Sequence, residues 1–110
     1  FWKEGCRPMN AIENQVRELV AVELSAANER FPQFHSVHEG YAVILEEAEE
    51  LKEEVEKTDS YLAFAWGEIR IDGDCEDFIS GVERYAVNAA CEAIQVAAMC
   101  RKFMEMENRA

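Results

Sequence analysis

Apolar residues recur at three- and four-residue intervals along most of this chain, and this period restricts its fold more than any other feature. Such spacing gathers apolar side chains on one face of an α-helix, whereas a half-buried strand alternates at every second residue. Only two prolines and five glycines interrupt the 110 residues. The pattern therefore predicts an all-α fold with long helices and no strand.

Helix boundaries follow from local signals at the ends of each apolar pattern. Pro32 ends the first helix, and Ser36 with Glu39 three residues later forms a capping box for the second. These elements predict an antiparallel bundle of three principal helices plus a short helix. The predicted helices run from Asn10 to just before Pro32, from about Ser36 to 57–59, from Asp59 or Ser60 through Trp66, and from Asp74 to about Met106.

Length and composition limit the class of protein. Residues 9–110 are expected to form a single domain, while residues 1–8 read as an artificial leader or an upstream extension. A formal net charge of -12 disfavours nucleic acid and anionic membranes as partners and favours cations. No apolar run approaches the length of a membrane span. The four cysteines lack a C-x-x-C pair, which fits reduced thiols in a cytoplasmic protein.

Two clusters of acidic residues indicate a function. On the second helix, Glu47 and Glu50 lie one turn apart at the edge of the apolar face, so both can project towards a neighbouring helix. Glu92 lies within the apolar run of the last helix, and steps of about 100° per residue place it on the inward face. A buried carboxylate must be protonated, hydrogen-bonded or bound to a cation. The state of Glu92 therefore decides what this helix face can do.

Asn88, Glu92 and Gln95 form a polar row along one border of the last helix, and facing the row of Glu47 and Glu50 they would line a pocket with oxygens. Carboxylates, waters and phosphates are the ligands that Mg²⁺ prefers. The rows therefore predict a Mg²⁺ site that also accepts Mn²⁺. Two other interpretations stay open, namely a solvated acidic face, and a Glu92 that is paired with Tyr, Arg or backbone donors or across a subunit interface.

The acidic residues also carry a family resemblance. Glu46-Glu47-x-x-Glu50 together with Glu92-x-x-Gln95 resembles the E-E-x-x-E and E-x-x-D motifs of the MazG-like, all-α nucleoside triphosphate pyrophosphohydrolases. The strings HEGYAVILEE at 38–47 and QVAAM at 95–99 are especially similar to small phage-type and bacterial members. The likeness covers about 34–103, and its specificity depends on both motifs together.

The resemblance implies a helical homodimer or homotetramer that uses Mg²⁺ to hydrolyse a nucleoside triphosphate to the monophosphate and pyrophosphate. By position, Glu47, Glu50 and Glu92 match metal ligands, and Glu47 or Glu50 is the candidate catalytic base. Gln95 stands where the family has Asp. An amide oxygen can bind Mg²⁺ but carries no charge, so Gln95 as a ligand predicts weaker metal binding.

Substrate binding requires groups for the phosphates and for the base. The candidates are Asn88, Lys52 and Trp66, followed by the basic residues Arg84, Arg101 and Lys102 and the aromatic residues Phe34, Tyr41 and Phe64. Because of Gln95, a second hypothesis keeps the fold without hydrolysis, as a nucleotide-binding or protein-interaction module. A third hypothesis is a purely structural acidic bundle in which Glu92 is paired across a subunit interface.

Overall fold

The computed structural model describes residues 10–107, with side chains from residue 12 onward. Three α-helices account for most of this range, and no strand occurs in it: α1 spans Asn10–Arg30, α2 spans Val37–Ile69 and α3 spans Glu76–Met104. The prediction of an all-α fold is therefore confirmed. The predicted leader, residues 1–8, lies outside the described residues.

The junction between α1 and α2 follows the local signals in the sequence. The backbone N–H of Phe31 still donates to the carbonyl of Ala27 at 2.9 Å, and Pro32 then ends the helix. The hydroxyl of Ser36 accepts from the N–H of Glu39 at 3.1 Å, as the first half of a capping box requires. The Glu39 carboxylate accepts from the N–H of His35 at 2.9 Å, so it holds the residue before the cap.

The predicted end of the second helix at 57–59 is wrong, as is the separate short helix after it. The chain contains neither Gly nor Pro from 41 to 66, and α2 continues without a break to Ile69. The hydroxyl of Thr58 donates to the carbonyl of Glu54 at 2.8 Å, which satisfies this side chain inside the helix. Tyr61 and the fully buried Ala65 then pack inward, and this burial supports the second half of α2.

The turn predicted at 71–74 connects α2 to α3. Asp72 adopts a left-handed backbone conformation with φ 57°, which Asp tolerates better than most residues. The N–H of Gly73 returns to the carbonyl of Glu68 at 2.8 Å. Cys75 is the N-cap residue of α3, and the carboxylate of Asp74 just before it accepts from the N–H of Glu76, the first residue of the helix, at 2.9 Å. This short connection folds α2 and α3 into a helical hairpin.

Two clusters of side chains hold the helices together. In the distal half of the hairpin, Tyr61 lies edge-on to Phe78 and Tyr85, and a Cβ at Gly81 would collide with the Tyr61 ring. In the proximal half, the core of α1 and α3 is formed by Val20, Leu24 and Ala98, with Ile94, Ala97 and Met99 around it.

Helix α1 packs against α3 but not against α2. A groove therefore remains open between α1 and the first half of α2. Gly40 of α2 faces α3 and the linker, where a Cβ would come within 2.6 Å of the Phe103 ring and 3.0 Å of Phe34. The absence of a side chain at Gly40 thus lets Phe34, from the α1–α2 linker, fold back onto α2 and α3.

The described chain is elongated and exposes much apolar surface. Its radius of gyration is 17.9 Å, whereas a compact domain of this length has about 13 Å. Along the distal half of α2, Val55, Leu62, Trp66 and Ile69 recur at intervals of seven, four and three residues, and all four are exposed. They share one helix face, which we call the α2 apolar stripe. No helix in the described range is long and apolar enough to cross a membrane.

Candidate metal centre

Three carboxylates from two helices meet on the inner side of the hairpin. Glu47 and Glu50 extend from α2 and Glu92 from α3, and one oxygen of each lies within 4.8 Å of the other two. Glu92 is partly buried, which confirms that it faces inward. The i, i+3 spacing on α2 and the packing of the hairpin therefore bring together the acids that the sequence singled out.

The protonation of these carboxylates is governed by partial burial and by repulsion between their charges. Burial raises the pKa of Glu47 above its ordinary value, and the charges of Glu50 and Glu92 raise it further. Burial likewise raises the pKa of Glu92, with Glu50 adding to the effect by its charge and by a shared hydrogen bond that requires a proton. Glu50 thus lies between the other two acids, and the cluster favours either a bound proton or a bound cation.

No protein donor compensates the buried oxygens. Oε2 of Glu47 and Oε2 of Glu92 are shielded from solvent and have no hydrogen-bond partner among the described residues. The interpretation of Glu92 as an acid satisfied by Tyr, Arg or backbone donors therefore does not hold for this oxygen. A buried acceptor without a partner is costly, and a cation placed between the three carboxylates would relieve that cost.

Small side-chain movements would bring the three oxygens to the spacing that a hard divalent cation requires. Neighbouring oxygens around Mg²⁺ are about 3.0 Å apart and opposite ones about 4.2 Å, since each lies about 2.1 Å from the ion. The three carboxylate oxygens lie within 4.8 Å of one another, so binding one ion together would draw them closer by up to about 2 Å, which rotation of the glutamate side chains can supply. Three carboxylates without soft ligands suit Mg²⁺ or Mn²⁺ better than a transition metal that prefers sulfur or imidazole.

Glu54 is a fourth acid at this site and was not among the site residues predicted from the sequence. Its charge contributes to the raised pKa of Glu92, and its buried Oε2 lies 3.7 Å from Nζ of Lys57. The sequence does contain a pattern that indicates Glu54, because Glu47, Glu50 and Glu54 follow the three- and four-residue spacing of one helix face. Lys57 therefore compensates one end of the cluster and leaves the other three carboxylates without an ion pair in the described chain.

A cavity of about 480 Å³ adjoins the cluster in the groove between α1 and α2. Glu47 and Gln95 line one part of it, so the residue that departs from the E-x-x-D motif borders both the acids and the cavity. Phe31, Phe34 and Lys102 also line it. Phe34 and Lys102 were substrate candidates from the sequence, while Phe31 was not, because only the fold of the linker brings it here.

The remaining substrate candidates lie elsewhere. Asn88 and Lys52 are exposed and do not line this cavity. Trp66 lies sixteen residues after Glu50 on the same helix, about 24 Å along its axis, and is 61% exposed. Arg84 packs over the ring of Tyr85 at 4.9 Å, and Arg101 is exposed. Only the three acids, Gln95, Phe34 and Lys102 are therefore brought near one another.

The chain has no recognisable match among known proteins. No protein-family model matches the sequence, no curated protein is significantly similar to it, and no solved structure resembles its fold closely enough to count as a match.

The raised pKa values predict an unusual dependence of stability on pH. In the folded state Glu47 and Glu92 hold protons more tightly than in the unfolded chain, so metal-free protein should lose stability as the pH rises above 4.5, the ordinary value for Glu. The thermal midpoint in a chelator, measured from about pH 4.5 to about pH 7.5, tests this sign. Saturating Mn²⁺ should offset this loss of stability. At a hundredfold excess over Kd, binding to the folded state adds about 2.7 kcal/mol to the free energy of unfolding.

A pair of variants separates this site from the general repulsion of an acidic chain. Glu92→Gln should raise the metal-free stability near neutral pH by about 1 kcal/mol, roughly 4 °C, because it removes one charge from the cluster. Glu83→Gln makes the same charge change at an exposed position of α3 and should have little effect. Equal shifts for the two variants would contradict a local origin.

Proposed function

We propose that this protein is a Mg²⁺-dependent nucleotide pyrophosphohydrolase of the MazG-like type, which converts a nucleoside triphosphate to the monophosphate and pyrophosphate. The observation that carries the proposal is the meeting of Glu47, Glu50 and Glu92 from two helices, with two buried oxygens that lack a hydrogen-bond partner. These acids belong to the two motifs that resemble the family. The motif resemblance and the meeting of the three acids in the fold are separate observations, and both support the proposal.

The proposed chemistry assigns separate tasks to the carboxylates. Glu47, Glu50 and Glu92 would hold Mg²⁺ on the rigid frame of the hairpin. The bound ion would neutralise phosphate charge and make a nearby water more acidic. Glu47 or Glu50 accepts the proton of the attacking water, whose oxygen forms a bond to phosphorus as the bond to the pyrophosphate leaving group breaks.

The adjoining cavity supports a nucleotide as the substrate. Its volume of about 480 Å³ lies within the range of small-molecule sites. Phe31 and Phe34 offer aromatic faces, and Lys102 offers a positive charge on the side away from the acids. A triphosphate could thus meet the metal near Glu47 while the rest of the ligand occupies the groove.

Release of pyrophosphate is the direct test. Purified protein is incubated with a mixed pool of nucleoside triphosphates, with Mg²⁺, with Mn²⁺ and with a chelator, and pyrophosphate and monophosphate are measured together. Equal amounts of the two products, formed only with metal, are the expected result. Orthophosphate as the only product, or no product with either metal, would reject the proposed reaction.

Gln95 supports a second candidate function, a nucleotide-binding or protein-interaction module without hydrolysis. Its neutral amide lies at the cavity beside Glu47, where an Asp would add a fourth charge near the metal. Gln95→Asp should raise Mn²⁺ affinity about tenfold if the site is intact and weakened, since one more carboxylate then faces the ion. An unchanged affinity, together with no hydrolysis in either the wild type or this variant, would favour the non-enzymatic module.

The assembly and the compartment form part of the proposal. The exposed α2 apolar stripe supports a homo-oligomer, because a hairpin with so little buried core gains stability by covering that face. The stripe runs along the distal half of α2, which suits the same face of a second copy of the hairpin. Cys75, Cys91 and Cys100 are free thiols, which is compatible with a reducing, cytoplasmic environment.

A further inference from the structure

Lys102 is the one buried charged side chain in the part of the chain that the structure describes, and only 2% of it is exposed. Its Nζ has no hydrogen bond and no ion pair within 4.0 Å among those residues, and its ring contact is with Phe34, 5.2 Å from Nζ to the centroid. Lysine is rarely buried unless it is paired, because an isolated buried charge is costly. Nζ is not among the side-chain atoms that are shielded from solvent in the described residues, so it opens onto the cavity, where an anion can reach it.

The linker between α1 and α2 fixes Lys102 in place. The side-chain amide of Gln33 donates to the backbone carbonyl of Lys102 at 3.1 Å, and the Phe34 ring lies under the ammonium group. Both Phe34 and Lys102 line the cavity of about 480 Å³ that continues to Glu47 and Gln95. Lys102 and Gln95 are seven residues apart on α3, about 10 Å along its axis, so the acidic and the basic end of the cavity are separated.

The carboxylate of Glu39, which feels the charge of Lys102, is already engaged. Glu39 lines the same cavity, but its oxygens accept from the N–H of His35 at 2.9 Å and face Nδ1 of His35 at 3.2 Å. Hydrogen bonds from His35 hold the pKa of Glu39 below its ordinary value, and the charge of Lys102 adds a smaller effect. The charge of Glu39 therefore offsets part of the charge of Lys102 through space, without an ion pair between the two side chains.

The charges around the cavity also restrict the ligand. Arg30 and Lys102 are its permanent cations, whereas Glu23, Glu39 and Glu47 are carboxylates. A bare anion would meet more negative than positive charge, so it should bind poorly. A ligand that carries a divalent cation at one end and free phosphate oxygens at the other would match both ends of the cavity.

We propose that Lys102 forms the anion subsite for the phosphate groups of a metal-bound oligophosphate, whose metal end is held by the acids around Glu47. The inference rests on the proposed function for the identity of its ligand. It adds a residue that recognises phosphate at the opposite end of the cavity from the metal. Phe34 supports the ammonium from below and keeps it oriented without neutralising it.

Calorimetric titration with inorganic tripolyphosphate in the presence of Mn²⁺ tests this subsite without the chemical step. Lys102→Met should bind Mn²⁺ alone as the wild type does, but bind Mn²⁺–tripolyphosphate about ten- to a hundredfold more weakly, since it lacks one charge-assisted contact. Arg70→Met loses the same charge at an exposed position in the α2–α3 turn and should match the wild type in both titrations.

Thermal denaturation of the same variants excludes a merely structural lysine. Methionine retains the apolar stem and removes a buried charge, so Lys102→Met should melt at the same temperature as the wild type or higher. A large fall in its midpoint, or equal tripolyphosphate affinity in variant and wild type, would overturn the subsite. A wild type that does not bind tripolyphosphate in Mn²⁺ would overturn it as well.

Hydrolysis assays in parallel distinguish the subsite from the proposed function. Tripolyphosphate binding that depends on Lys102, in a protein that releases no pyrophosphate from any nucleotide, would keep the subsite and reject the enzyme. Metal-dependent pyrophosphate release by the wild type, with tripolyphosphate affinity unchanged in Lys102→Met, would keep the enzyme and reject the subsite.

Discussion

Glu50→Gln is expected to reduce the proposed metal-dependent release of pyrophosphate by about a hundredfold or more, because metal stabilisation of the transition state is worth several kcal/mol. Glu50 is the central acid of the cluster, since its charge raises the pKa of both Glu47 and Glu92. An amide at this position keeps the shape of the side chain, removes one charge and introduces a donor that can satisfy a neighbouring carboxylate. Mn²⁺ affinity, measured by calorimetry, should fall together with the rate.

The control for this variant is Glu56→Gln, which makes the same change at an exposed position of the same helix. It should keep both Mn²⁺ affinity and hydrolysis. Glu50→Gln should also be at least as stable as the wild type in a chelator, because the repulsion within the cluster is relieved. A Glu50→Gln protein that retains its metal affinity and its rate would remove Glu50 from the site and with it the geometric basis of the proposal.

Much of the fold is encoded in short-range signals, and these were readable. These signals act on backbone groups within a few residues of Pro32, Ser36 and Asp74. The C-terminal end of α1, the start of α2 and the start of α3 could therefore be predicted from the sequence. The polar run at 57–59 resembles a helix end in isolation. It continues as helix because Tyr61 and Ala65, one and two turns later, pack inward along the hairpin.

The candidate site, like the fold, is predictable from the sequence only in part. Glu47 and Glu50 share an edge of α2 by helical geometry, and Glu92 faces inward by its register, so their meeting was predictable once two helices paired. The burial of Lys102 was not, because it depends on a linker that returns across 69 positions of sequence to hold its carbonyl. Long side chains such as lysine can reach solvent from most places on a helix, so sequence alone does not reveal when one is enclosed.

Leu62→Glu is expected to convert a homo-oligomer into monomers, the second large effect that the structure predicts. Leu62 is 53% exposed at the centre of the α2 apolar stripe, between Val55 and Trp66. In the proposed assembly this face is covered by a second copy, and a buried carboxylate without a partner there costs several kcal/mol. Light scattering of the wild type should give a multiple of 12.6 kDa, and the variant should give the monomer mass.

The matched control is Ser60→Glu, which adds the same charge to an exposed position of α2, about 200° around the helix from Leu62. It should leave the mass unchanged. The thermal midpoint of the wild type should also rise with protein concentration, as it does when folding and association are linked, whereas that of Leu62→Glu should not. A wild type that is monomeric at micromolar concentration and melts cooperatively would show that the hairpin is stable with this face open, and the stripe would then need another explanation.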